Sequence, residues 1–128
     1  MPVSHYGVHK KMAEDLCSFY AEKYGLHISA VRPFSVYGPG LRKQLLWDAL
    51  NKADRGHAEF FGTGAEIRDW VYVSDLGHLL LEVGIGRLVA SVDAPLDAGT
   101  GNGVSVERIL TRLLELYMPG LTPRFLGA

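Results

Sequence analysis

The sequence predicts an α/β fold, and three observations carry that expectation. Apolar residues recur at helical spacing over residues 6–24 and lead into a short β-branched stretch, Ile28-Ser29-Ala30-Val31. The run Trp70-Val71-Tyr72-Val73 is rich in strand-forming residues and is followed at once by another helical pattern ending near Gly84. A last helical stripe, Ile109, Leu110, Leu113, Leu114 and Tyr117, lies near the end of the sequence. Helices alternating with short, buried-type strands are the pattern of an α/β layer.

Taken in order, the first helix places Ala13, Leu16, Cys17, Tyr20, Ala21 and Tyr24 on one side, with Lys11, Glu14, Asp15, Glu22 and Lys23 largely on the other. Ser4 is its expected N-cap and Gly25 its stop. The strand over residues 28–31 is expected to end at Arg32-Pro33, because proline supplies no donor and restricts the residue before it. Residues 34–40, punctuated by Pro39, Gly38 and Gly40, read as a loop long enough to line a site. A second helix is expected over residues 43–52 and closes at Gly56, and Glu59-Phe60-Phe61 forms a short strand. Residues 62–69 read as a turn. Ser74 or Asp75 is expected to cap the third helix, with Leu76, Leu79, Leu80 and Val83 inward. Residues 95–98 form one more strand, 99–103 a turn and 105–117 the last helix, after which the tail from Pro119 is expected to be loosely held.

The chain has 128 residues, 48% hydrophobic and 21% charged, with a net charge of −1, values of an ordinary globular domain. No broad basic surface is available for nucleic acid or an anionic membrane. No apolar run reaches the ~18 residues of a membrane span, and the first residues lack a signal-type pattern. The single Cys17 cannot form an internal disulfide, fits a reducing compartment, and is expected to pack. These features together point to a cytoplasmic protein without nucleic-acid or membrane partners.

The stretch that carries chemistry is Tyr6-Gly7-Val8-His9-Lys10. Four residues apart on a helix, the phenol and the ammonium share a face about one turn apart. The lysine charge favours phenolate over phenol, and its three donors can hold a ligand hydroxyl, so such a tyrosine can work as an acid and base. The structural alternative is a tyrosine packed on the core beside a solvated lysine.

With Val31-Arg32-Pro33-Phe34-Ser35-Val36-Tyr37-Gly38-Pro39-Gly40, Phe61-Gly62-Thr63-Gly64 and Arg68-Asp69-Trp70-Val71-Tyr72-Val73-Ser74-Asp75, this stretch resembles the extended short-chain dehydrogenase/reductase family. That family includes the NAD-dependent nucleotide-sugar epimerases and dehydratases, and the likeness runs from about Ser4 to Leu116. It implies the latter part of a Rossmann-type parallel sheet with a small substrate-binding portion. Within a single partial domain, residues 1–40 would end the Rossmann half and 41–128 would be mainly substrate-binding.

By the same resemblance Tyr6 would be the catalytic acid/base. Lys10 would hold the nicotinamide ribose, and Pro33 and Phe34 would line the cofactor, NAD or NADP. Ser35, where the family usually has asparagine, would contact substrate. Backbone groups of the strand Glu59 to Phe61 would meet the base, and Arg68 the diphosphate, which suits a guanidinium fork; without the family, Arg68 would read as a surface ion pair with Asp69 or Glu66. Asp69 reads as structural, holding the turn. His9 stands where the family usually has serine. The family's glycine-rich phosphate loop and its substrate-binding serine or threonine lie ahead of the tyrosine and are not found in this sequence. The chain is therefore expected to be the C-terminal part of such an enzyme, inactive alone, with a separate Rossmann half or a homo-oligomer as possible partners. The alternative is a non-catalytic module that only binds nucleotide-sugar or a partner.

Two other motifs lead elsewhere. Gly99-Thr100-Gly101-Asn102-Gly103 precedes a helix, but the third glycine of a dinucleotide loop would fall on Val104, and no acidic residue lies about twenty positions on. His5 and His9 have the spacing of two metal ligands on a helix, yet no glutamate of the zinc motif lies between them and no third ligand is indicated, so no metal is expected.

Overall fold

The computed structural model describes residues 3–127. In chain order its elements are α1 (His5–Tyr24), β1 (Val31–Pro33), β2 (Ser35–Tyr37), α2 (Gln44–Ala53), β3 (Glu59–Phe60), β4 (Ile67–Tyr72), α3 (Val73–Gly84), β5 (Leu96–Ala98), β6 (Gly103–Ser105), α4 (Val106–Tyr117) and β7 (Arg124–Phe125). They gather into two compact units, one of residues up to 33 with 75–98, the other of 34–74 with 99 onward.

The first unit is built from α1, β1, β5 and all of α3 but its first two residues. Ser4 caps α1 as expected, its hydroxyl accepting from the Gly7 amide, and Gly25 ends the helix in the left-handed region at φ 65°. Strands β1 and β5 pair in parallel, Val31 against Leu96 and Pro33 against Ala98. The strand expected over residues 28–31 thus lies later, because its extent is set by three-residue β5, with Leu96 donating to the carbonyl of Ala30. Helix α1 has no buried residue among those described, and Leu16, Tyr20 and Tyr24 of the expected inward stripe are 57, 43 and 57% exposed. Helix α3 begins at Val73, so Ser74 and Asp75 stand in its first turn rather than before it; Val83 is buried while Leu80 is half exposed.

The second unit holds the hydrophobic core. Ala49 and Ala53 of α2 are fully buried against Leu110 and Leu114 of α4, with Ala58, Phe60 and Val106 completing the cluster. Alanines at that contact bring the two helices close enough for the leucines to fill the space between them. Ser105 caps α4 by accepting from the Arg108 amide, and Tyr117 donates to Asp54 at 2.7 Å, tying the end of α4 to the end of α2.

A three-stranded sheet, order β2-β4-β6, forms the other layer of this unit, β2 and β4 parallel and β4 and β6 antiparallel. Sequence reading made residues 34–40 a loop; Ser35–Tyr37 is a strand, hidden by the flanking Pro33 and Gly38. Likewise β4 begins at Ile67 inside the expected turn, because β6, itself unrecognised, pairs with Ile67, Arg68 and Asp69. A Cβ at Gly103 of β6 would lie 2.5 Å from the Ile67 Cγ2 methyl, so a side chain there would displace that of Ile67. The tail is not loose either. Strand β7 pairs with β3 in parallel, Leu126 donates to Phe60, and the Phe125 ring packs 6.1 Å from that of Phe60.

Candidate active site

Tyr6 and Lys10 lie on the face of α1 turned toward β1 and, with Ala13, Glu14 and Cys17, line a groove of about 530 Å³ whose other wall is residues 28–33 and Val92. Tyr6 is 72% exposed and packs on no core among the described residues. The Lys10 ammonium sits 5.5 Å from the centre of the Tyr6 ring. Pro33 belongs to the same groove, so three of the four residues expected at the cofactor come together on one surface.

Across this groove runs an ion pair that sequence reasoning did not anticipate. Arg32 Nε and Nη2 each donate to one oxygen of Glu14 at 2.7 Å, a bidentate fork. The Arg32 hydrogen bond, chiefly, holds the Glu14 carboxyl below its ordinary range. The legible signal was that Tyr6, Lys10 and Glu14 follow one another at intervals of four.

The expected substrate residues all fall in the second unit. Ser35 pairs with Trp70 and Tyr37 with Tyr72, so strand alternation puts Ser35, Tyr37, Arg68, Trp70 and Tyr72 on one face. The rings of Tyr37 and Trp70 are 6.5 Å apart and those of Tyr37 and Tyr72 5.4 Å apart, both edge-on. Trp70 Nε1 is buried there without a hydrogen-bond partner among the described residues.

Arg68 is exposed, and none of the ion pairs among the described residues includes it. The two carboxylates that could have held it are engaged elsewhere. Glu66 accepts from the Thr63 amide at 3.0 Å. Asp69 accepts from the Thr100 amide and hydroxyl at 2.9 and 2.7 Å and from the Gly101 amide at 2.8 Å. Those bonds, the Thr100 amide first, hold the Asp69 carboxyl below its ordinary range, while its partial desolvation acts the other way.

Asp69 therefore closes the turn over residues 99–101, and the amides of Thr100 and Gly101 point at a carboxylate of the protein itself. Phe34, half exposed, presses on that turn: a Cβ at residue 99 would lie 2.9 Å from its ring. Glu59 has its carboxylate 3.5 Å from Arg124 and its carbonyl accepting from Lys52 at 2.9 Å, while Phe61 is 88% exposed. Among the described residues no group of three His, Cys, Asp or Glu side chains could hold a metal ion, and no helix is long and apolar enough to cross a membrane.

The helical Tyr-x-x-x-Lys pair thus stands at a groove and is followed in the chain by parallel strands. The model of the NAD dependent epimerase/dehydratase family matches residues 1–83. The chain belongs to this family. Within the epimerase/dehydratase family it is similar to UDP-glucuronate 4-epimerase of Thermodesulfobacterium geofontis, 33% identical over 105 residues, covering 72% of this chain and 32% of that protein. Among solved structures it resembles UDP-glucose 4-epimerase of Thermotoga maritima with UDP-glucose, with a TM-score of 0.83, 27% identity, and coverage of 99% of this chain and 41% of that one. It also resembles MoeE5 in complex with UDP-glucuronic acid and NAD, with a TM-score of 0.84, 34% identity, and coverage of 100% and 44%. The chain thus spans less than half the length of these epimerase/dehydratase relatives, and its α/β architecture is that of the corresponding part of their Rossmann-type fold.

Proposed function

We propose that this chain supplies the proton-transfer pair and the sugar-side wall of an NAD-dependent enzyme that epimerises or dehydrates a nucleotide-activated sugar. The observation that carries this reading is the exposure of Tyr6 and Lys10 into one groove with Pro33. Tyr6 Oη exchanges a proton with a sugar hydroxyl, and Lys10 holds a ribose hydroxyl with its ammonium donors. Bound nicotinamide dinucleotide supplies the hydride chemistry that accompanies such a proton transfer. The groove fits that group at its nicotinamide-ribose end: an apolar wall, a ring-bearing donor and an ammonium. Pro33 and Phe34 are assigned to the cofactor side.

On the substrate side, Arg68 is assigned to the diphosphate, a role supported by its exposure and by the prior engagement of Glu66 and Asp69. Ser35 shares its sheet face and is assigned to the sugar. Glu59 and Phe61 are assigned to the base, Glu59 with its carbonyl already held by Lys52. Residues 1–128 contain no glycine-rich dinucleotide loop, so the isolated chain is expected not to turn over UDP-glucose or UDP-galactose. In an enzyme completed by a dinucleotide-binding portion, Tyr6→Phe should reduce kcat by at least ~100-fold. Unchanged kcat would remove Tyr6 from this role.

A second reading, that the chain alone only binds nucleotide-sugar, is supported by the placement of Ser35, Glu59, Phe61 and Arg68 in the unit that has its own core. Calorimetry on the isolated chain separates the two: UDP binding without NAD binding supports a substrate module, and binding of neither rejects it.

A further inference from the structure

We propose that Glu14 is a positioning residue that, through Arg32, sets the catalytic helix on its strand. The role rests on the reading of Tyr6 and Lys10 as the proton-transfer pair. Helix α1 faces residues 28–33 across the groove, and the contact that spans it is the fork from Arg32 Nε and Nη2 to both Glu14 oxygens, each at 2.7 Å. Two parallel hydrogen bonds to a planar guanidinium fix a carboxylate in distance and in rotation, which a single ammonium contact does not.

The location makes this fork matter for chemistry. Glu14 stands one turn beyond Lys10 and two beyond Tyr6 on the same helical face, and all three line the groove. Arg32 immediately precedes Pro33, which lines the opposite wall. The other ion pair of α1, Lys11 with Asp15, lies within the helix and constrains nothing outside it. The Glu14 side chain is 22% exposed and that of Arg32 51% exposed, so the pair is partly wet. Its contribution to overall stability is accordingly small, as for other exposed pairs, while its contribution to geometry is not. An error of about 1 Å in the placement of a catalytic group can cost on the order of 100-fold in rate.

Cys17, the one cysteine of the sequence, lies in the same groove one turn past Glu14 and reports on it without any turnover. In the 128-residue chain, Glu14→Gln and Arg32→Met should each speed modification of the Cys17 thiol by an aromatic disulfide several-fold. The double variant Glu14→Arg with Arg32→Glu should restore the slow rate, and circular dichroism should show α1 helical throughout. In the completed enzyme, Glu14→Gln should lower kcat by about 10- to 100-fold with KM for the nucleotide-sugar unchanged, and the exchanged pair should recover much of it. Equal thiol rates in all variants would overturn the proposal. So would faster thiol reaction with unaltered kcat, which would make the pair merely structural. A Tyr6→Phe enzyme that keeps its rate would instead overturn the acid/base assignment, and is told apart because the thiol rates still respond.

Discussion

Asp69 shows how one side chain can decide the use of its neighbours. By accepting three hydrogen bonds from Thr100 and Gly101 it closes a glycine-rich turn and is unavailable to the adjacent Arg68. Its carboxyl titrates lower folded than unfolded, so its stabilisation is fully present above the unfolded value of about 3.9. That stabilisation is lost as pH falls through the lower folded value. Asp69→Asn should therefore lower Tm by a few degrees at pH 7, with the gap to the parent chain closing in acid. Thermal melts from pH 7 to 2.5 check this, and a gap that widened in acid would contradict the assignment. Tyr6 and Lys10 were legible at this scale because i, i+4 spacing is a local property. The Glu14–Arg32 fork was not, since its partners are separated by 18 residues.

At the scale of elements, the helices follow the sequence closely and the strands do not. Caps such as Ser4 and Ser105 and apolar stripes are encoded within a turn or two of the chain. Strands β2, β6 and β7 are two or three residues long and exist through their partners β4 and β3. The core between α2 and α4 gives a direct test. Leu110 is fully buried, and Leu110→Ala should destabilise the second unit by about 2–5 kcal/mol, read as a lowered urea midpoint. Strand β7 gives another. Deleting residues 119–128 should uncover Phe60 and speed amide exchange at residues 58–62, whereas unchanged exchange would show that β3 stands without its partner.

At the scale of the molecule, the described residues form two compact units. The second has a continuous core of alanines, leucines and aromatic rings, and the first exposes Val8, Met12, Leu16 and Phe19 along α1 at 43, 61, 57 and 51%. The relatives it matches are more than twice as long.

Local spacing encodes the α/β class, the helices with their caps, and the Tyr6–Lys10 pair, because each is written within one to four residues of the chain. The motifs over residues 31–40, 61–64 and 68–75 also disclosed the family without a structure. Tertiary structure alone decided the short strands and the order of the tail. It decided, too, that Asp69 serves a turn 31 residues away and that Glu14 meets Arg32. These rest on partners distant in sequence, and a hydrogen bond or a ladder cannot be read from one of its two sides.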